Sequence, residues 1–145
     1  MTKEQLLGTW RLGFFRSITG DKMSYPLGEQ PGGYIGFTDT RLWVMIVDTA
    51  RSTPRRAGVT DDEAVALMKS SAAYTGKYDA DPRPTADGIK VTIHVDAATN
   101  QAIVGTDRVF YMRVNDDKLS LVSPAMLIPI SGLTSIVQLE FVKAD

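Results

Sequence analysis

The chain of 145 residues contains one histidine, His94, and this residue is the first candidate for acid–base chemistry. An imidazole titrates near neutral pH and can give or take a proton during a reaction. Since no carboxylate stands at metal-ligand spacing around it, the sequence predicts no metal site. His94 shares one strand face with Lys90 and Thr92, which is either a solvent face or a polar patch in a cavity. A catalytic role and a hydrogen-bonded structural role both remain open.

Tyrosine side chains form the second group of candidates. A phenol inside an apolar cavity can donate one hydrogen bond to a ligand carbonyl, and a pair of phenols could stabilise an enolate-like oxyanion. We therefore consider Tyr74 as a catalytic group beside His94, and Tyr34 and Tyr111 as ligand contacts. Tyrosine is also common in strands for packing reasons alone, which is the simpler interpretation for any single one of them.

Charged residues offer less specific signals. Asp107 and Arg108 follow a Gly-Thr pair and could together orient a polar group of a ligand. An aspartate in such a turn more often accepts hydrogen bonds from local backbone amides. Glu140 stands between Leu139 and Phe141, so it points to the opposite face of its strand. We expect that face to be solvated.

Composition narrows the function classes. The 16 basic and 17 acidic residues give a net charge of -1, which does not favour binding to nucleic acids or anionic membranes. The chain has no cysteine, which excludes disulfides, thiol catalysis and cysteine-bound metals. It has no Gly-rich phosphate loop and no dinucleotide fingerprint, so we expect no cofactor. Without a signal peptide or a membrane-spanning apolar run, we expect a cytoplasmic protein.

The candidate residues stand mostly on predicted strands, because apolar and polar residues alternate along much of the chain. One short helix is predicted over about 61–73, where Thr60 and Glu63 form a capping box and apolar residues follow at helical spacing. We expect its small apolar face to lie on the sheet. The pattern predicts an all-β fold, a single antiparallel barrel of about eight strands over residues 1–145. The predicted strands cover 8–17, 33–38, 42–48, 74–79, 89–96, 102–114, 119–123 and 135–143.

Alternation also predicts which side chains share a face. In the first strand, Trp10, Leu12 and Phe14 are expected to lie on the same side. The strand over 42–47 is apolar on both faces. Such a strand is typical of a barrel wall with a packed outer side or of a homodimer interface.

Several segments carry a likeness to a known family. They are Leu6-Leu7-Gly8-Thr9-Trp10-Arg11-Leu12, Tyr25-Pro26-Leu27-Gly28 followed by Gly33-Tyr34-Ile35, Tyr74-Thr75-Gly76-Lys77-Tyr78, and His94-Val95 followed by Val104-Gly105-Thr106-Asp107. In order and spacing they resemble the bacterial and fungal lipocalin-like domain family, relatives of the calycins. The resemblance implies an eight-stranded barrel around a small-molecule cavity. In this pattern Gly8 permits a close backbone approach and Trp10 closes one end of the barrel.

Two departures from the family pattern affect the expected ligand. Family members often carry an aromatic residue near Ala102-Ile103 and arginines near Phe110-Tyr111, whereas this chain has small, apolar or aromatic residues there. The resemblance therefore implies an apolar or aromatic ligand rather than an anion held by arginine.

The last strand resembles a closing strand of the family that usually ends in arginine. Here Lys143 could cover Trp10 through a cation–π contact.

Two functions of different classes remain as the leading hypotheses, because the fold does not determine the activity. A purely structural or dimerising module, suggested by the two-sided apolar strand over 42–47, is a third. The first is binding of a small apolar or aromatic molecule inside the barrel. The second is a cofactor-independent isomerase, cyclase or lyase in the same cavity, with His94 or a tyrosine as acid or base. An enzyme needs converging ionisable groups, so a His94 that faces bulk solvent would remove its catalytic role. The expected ligand contacts are Phe14, Tyr34, Trp43, Met45, Arg108, Phe110, Tyr111 and Met112.

Overall fold

The computed structural model describes residues 1–128 and 132–145. In this part of the chain, ten strands and one α-helix follow one another, with two short 3-10 turns at Lys3–Leu6 and Gln101–Ile103. The elements are β1 (Gly8–Thr19), β2 (Lys22–Ser24), β3 (Pro31–Phe37), β4 (Arg41–Asp48), α1 (Asp61–Lys69), β5 (Ser71–Ala80), β6 (Ile89–Ala98), β7 (Asp107–Asn115), β8 (Lys118–Val122), β9 (Met126–Ile128) and β10 (Leu133–Lys143).

Eight of the strands close into an antiparallel barrel, which confirms the predicted fold class. Their order around the barrel is β1, β3, β4, β5, β6, β7, β8 and β10, and β10 pairs back onto β1. The short strands β2 and β9 extend the ends of β1 and β10. Closure leaves no long unpaired edge, so the alternating side chains divide into an inner and an outer set.

The two ends of the barrel are filled differently. At the closed end, where β1 begins and β10 finishes, Trp10 pairs with Lys143. The 3-10 turn Lys3–Leu6 lies across this end, and Leu6 is fully buried. At the opposite end, where β5 and β7 begin, the small residue Ala72 faces inward and the barrel remains open. Further large buried side chains fill the closed end: Phe37, Leu42, Tyr78, Ile89, Met112 and Leu119.

A β-bulge in β1 changes which phenylalanine faces inward. Trp10 and Leu12 point into the barrel as expected, but the pairing with β10 shifts between Leu12 and Phe14. One inserted residue reverses every later side chain of a strand, because the side-chain period is two. Phe15 is therefore buried, and Phe14 stacks on the outside under the Arg16 guanidinium, 4.6 Å from its ring centre. The expectation that Phe14 faces inward was wrong.

The helix is shorter than predicted and packs less closely. The capping box is present: Thr60 Oγ1 accepts from the Glu63 amide, and the Thr60 amide donates to the Glu63 carboxylate. The helix ends at Lys69 rather than residue 73, because the next residues extend and pair with β4 as the start of β5. No residue of α1 is buried, and the end of the helix meets the barrel at the cavity, where Met68 and Lys69 stand. In the described residues no helix has the length and apolar character needed to cross a membrane.

Candidate functional site

The open half of the barrel encloses a cavity of about 290 Å³. Its walls are mainly the inward-facing aliphatic and aromatic side chains of the barrel strands. The end of α1 and the segment around Asn100 stand at the mouth. The cavity is thus an apolar chamber with a packed floor and a mouth at the open end of the barrel. Its apolar walls include Phe15, Ile35, Val44, Ile46, Phe110 and Leu139.

Tyr74 projects from the first half of β5 into this chamber. It stands two residues after Ala72 on the same strand face, as the alternation of β5 requires. Burial raises the pKa of the Tyr74 phenol to about 12, although the positive charge of Arg108 partly offsets this effect. At neutral pH the hydroxyl therefore keeps its proton and can donate a hydrogen bond, but it does not act as a base.

Arg108 is the second polar residue of the chamber. On β7, Arg108 and Phe110 point inward, whereas Asp107 and Tyr111 belong to the outward-facing set. Nη1 of Arg108 donates to the Met126 sulfur at 3.4 Å, a weak acceptor. Nε of Arg108 is buried and has no hydrogen-bond partner within residues 1–128 and 132–145.

Arg108 lines the cavity, as its expected role as a ligand contact requires, and its position bears on the expectation that no arginine holds an anionic ligand. That expectation considered the positions around Phe110 and Tyr111, which carry aromatic residues. The structure shows that Arg108, two residues earlier on the inner face of β7, enters the cavity. An arginine whose buried Nε has no partner among the described residues provides a donor and a positive charge that a ligand can use.

His94 lies outside the barrel, so its expected role as an acid or base in the cavity is wrong. Its neighbours on β6, Ile93 and Val95, are buried, and the strict alternation of the strand turns His94 to solvent. There its Nδ1 and Nε2 contact the carboxylates of Asp107 and Asp79, both at 2.7 Å. The hydrogen bonds to Asp79 and then to Asp107 raise the pKa of His94 above its ordinary value of 6.5. This cluster stabilises the outer wall across three strands.

Three other expected ligand contacts also lie on the outer surface. Tyr34, Trp43 and Met45 are 43%, 42% and 52% exposed. The inner face of β3 and β4 belongs instead to the alternate residues of both strands, among them Ile35 and Val44. The register pairs Trp43 with Gly36, and the indole covers that glycine so closely that a Cβ would clash with it. Homodimerisation through these exposed apolar side chains stays a prediction. Sedimentation velocity can test it.

The remaining candidates on β7 divide between inside and outside. Phe110 lines the cavity, as expected. Met112 is fully buried but fills the closed half, opposite Ile89 of β6, and does not line the cavity. Tyr111 points outward, since it alternates with these two. The expected ligand contacts of Met112 and Tyr111 were therefore wrong.

Some cavity residues were not among the sequence candidates. Ile35, Val44 and Ile46 could have been found by following the alternation of β3 and β4 on the other face. Ala72 and Phe15 could not, because the first was assigned to the helix and the second depends on the bulge. Among the described residues, no three histidine, aspartate or glutamate side chains are grouped so that they could hold a metal ion.

The closed end contains the contacts expected of Gly8, Trp10 and Lys143. The Trp10 indole is 2% exposed and its Nε1 donates to the Leu6 carbonyl at 2.9 Å. Lys143 Nζ lies 4.5 Å from the Trp10 ring centre and donates to the Leu7 carbonyl at 2.6 Å. Gly8 has a φ of 109°, and a Cβ there would meet the Lys143 ammonium. The glycine thus leaves room for the lysine that covers the tryptophan.

A model of the lipocalin-like domain matches residues 7–139, nearly the whole barrel. The chain belongs to the lipocalin-like domain family. No curated protein and no solved structure gives a significant match. As a lipocalin-like domain, the barrel supports ligand binding in general, and the nature of the ligand must be argued from the cavity itself.

Proposed function

We propose that this lipocalin-like domain binds a small apolar or aromatic molecule in the open half of its barrel. The observation that carries the proposal is the apolar chamber of about 290 Å³, closed at one end and entered from the other. Small-molecule sites typically combine mainly apolar walls with a few fixed polar groups. Tyr74 and Arg108 supply those polar groups here.

The size of the chamber limits the ligand. Pockets for drug-sized molecules span about 300–1,000 Å³, so this chamber stands at the lower limit. A molecule of one or two fused rings, or a short branched chain, fits such a space better than a long lipid. The aromatic side chains of Phe15 and Phe110 on the walls favour a flat ring system through offset or edge-to-face contacts.

The same chamber gives less support to the alternative of a cofactor-independent isomerase, cyclase or lyase. Such a reaction needs a group that takes a proton from the substrate. His94 points away from the chamber, Tyr74 keeps its proton at neutral pH, and Arg108 is a permanent cation. Both inner polar groups are hydrogen-bond donors, which suits holding a ligand rather than deprotonating it.

Binding can be tested with N-phenyl-1-naphthylamine, a neutral probe that joins a naphthalene to a phenyl ring. Its fluorescence rises in apolar surroundings. We expect saturable fluorescence enhancement with the unmodified chain. Ala72→Trp places an indole in the chamber, next to Ile46 on β4, and should abolish the enhancement. The matched control is Lys77→Trp, which adds the same ring to the exposed outer face of β5.

The two variants separate cavity binding from surface adsorption. Circular dichroism establishes that both variants are folded. Enhancement that persists in Ala72→Trp, or that disappears equally in Lys77→Trp, would contradict binding in the chamber. An absence of enhancement with the unmodified chain and a panel of neutral one- and two-ring probes would contradict the proposed function itself.

A further inference from the structure

We propose that Arg108 and Tyr74 form an anion-binding site within the chamber, and that the ligand is a carboxylic acid with an apolar or aromatic body. This inference rests on the proposed function, because the carboxylate would enter together with the body that fills the chamber. It assigns Arg108 as the residue that pairs with the carboxylate. Tyr74 is the second donor to the same group.

The first support is the state of Arg108. No carboxylate of the described residues forms an ion pair with it, and its buried Nε has no acceptor. Among the described residues, the acceptor for its guanidinium is the Met126 sulfur. A buried cation is costly unless it is paired and hydrogen-bonded. A bound anion would supply the missing partner of this cation.

The second support is the contrast with other arginines of this chain. Arg41 pairs with Asp96 and Arg83 pairs with Asp81, both on the outer surface. Asp107, the neighbour of Arg108 in sequence, does not form an ion pair with it, because the Asp107 carboxylate points outward to His94. Arg41 and Arg83 thus each have a carboxylate partner on the outer surface, whereas no carboxylate of the described residues pairs with the arginine in the chamber.

The third support is Tyr74, which lines the same cavity as Arg108. Its hydroxyl has no hydrogen-bond partner in the described part of the chain, and the positive charge of Arg108 acts on it. A protonated phenol and a guanidinium both donate, so the group they hold must be an acceptor. A carboxylate offers two acceptor oxygens and one negative charge, which match the planar donor fork of a single arginine. A dianionic phosphate would require more positive charge than these two groups supply.

The test uses two competitors of nearly equal shape, naphthalene-2-carboxylate and naphthalene-2-carboxamide. Each displaces N-phenyl-1-naphthylamine from the chain at pH 7, and the ratio of their displacement constants is the readout. A hydrogen bond to a charged group corresponds to a preference of about ten- to a hundredfold for the carboxylate. We expect this preference in the unmodified chain.

Arg108→Met should remove the preference of the chain for the carboxylate over the amide, because methionine keeps the apolar length and loses the charge. Lys69→Met is the matched control, since Lys69 is an exposed cation at the mouth of the same chamber, and it should leave the preference in place. Arg108→Gln gives the same readout if the methionine variant does not fold.

The outcomes distinguish this inference from the proposed function. Equal binding of acid and amide by the unmodified chain, or a preference that survives both Arg108 variants, overturns the carboxylate site while leaving the apolar chamber intact. A preference lost with Lys69→Met and kept with Arg108→Met overturns the assignment of Arg108. If neither the probe nor either competitor binds the unmodified chain, the proposed function fails as well.

Discussion

The two ends of the barrel each present a cation close to aromatic side chains, but only one of these cations is satisfied by the protein. At the closed end, Lys143 lies over the Trp10 ring and donates to the Leu7 carbonyl. At the open end, Arg108 enters a chamber beside Phe110, and within the described residues its acceptor is the Met126 sulfur. The chain thus completes the polar contacts of one end and leaves those of the other incomplete.

This difference separates stability from function. A cation whose partners are all internal stabilises the fold, and removing it lowers stability. A buried cation without an internal counter-charge has an energetic cost in the free protein, and a ligand that supplies the counter-charge recovers that cost. Variants at the two ends are therefore expected to change stability in opposite directions.

The largest effect is expected from the closed end. Trp10→Ala removes a buried indole and its hydrogen bond to Leu6, and should lower the free energy of unfolding by about 3–5 kcal/mol. The second tryptophan, Trp43, is the matched control, because it is 42% exposed on the outer face. Trp43→Ala should cost about 1 kcal/mol or less. Urea unfolding measures both, and equal losses would contradict the role of Trp10 as the closing residue.

Opposite signs are expected when the two cations are replaced by methionine. Arg108→Met should raise the free energy of unfolding of the ligand-free protein by about 1–3 kcal/mol, because a half-buried guanidinium whose Nε has no partner among the described residues is exchanged for an apolar chain. Lys143→Met should lower it by about 0.5–1 kcal/mol through loss of the cation–π contact. Thermal unfolding of the two ligand-free variants and of the unmodified chain measures both changes. A destabilised Arg108→Met would mean that the arginine supports the fold.

A smaller effect is expected from the phenol of the open end. Tyr74→Phe removes one donor and leaves the ring, so it should weaken naphthalene-2-carboxylate binding by about 0.5–1.5 kcal/mol. Tyr78 provides the comparison, since its hydroxyl donates to the Thr38 carbonyl at 2.7 Å at the closed end. Tyr78→Phe should reduce stability and leave binding unchanged. Isothermal titration calorimetry measures the affinities, and equal binding by Tyr74→Phe would remove the phenol from the site.

The smallest effect concerns His94, a third cationic site that has protein carboxylates on both sides. Its pKa is raised by the hydrogen bonds to Asp79 and Asp107, so the protonated form favours the folded state. The stabilisation is fully present below about pH 6.5, the pKa in the unfolded chain, and is lost as pH rises through the higher folded value. His94→Gln should therefore lower Tm at pH 5.5 and have less effect at pH 9.

Because His94 is the only histidine, its imidazole proton resonances report its titration directly by NMR. A midpoint above 6.5 in the folded protein is expected. A midpoint at or below 6.5 would contradict the two carboxylate contacts. Binding of the neutral probe should be unchanged in His94→Gln, because the side chain lies outside the chamber.

The closed end was largely predictable from sequence because its features are local. The Gly8-Thr9-Trp10 signature and the strand alternation depend on residues close together in the chain. The same holds away from the closed end for the capping box at Thr60, which begins α1. The end of α1 was not predictable in the same way. Ala72 and Ala73 suit a helix by propensity, but pairing with Ile46 and Met45 of β4 draws them into β5.

The amino-acid sequence by itself determined that this chain forms an antiparallel barrel, because alternation, turn residues and the opening glycine–tryptophan signature all act over short distances. Only the tertiary structure decided which side of each strand faces the chamber. A single bulge exchanged Phe14 for Phe15, and the alternation of β7 sent adjacent Asp107 and Arg108 to opposite faces. Residues that look like a pair in sequence are separated by the strand they share, and for that reason Asp107 does not supply a counter-charge to Arg108.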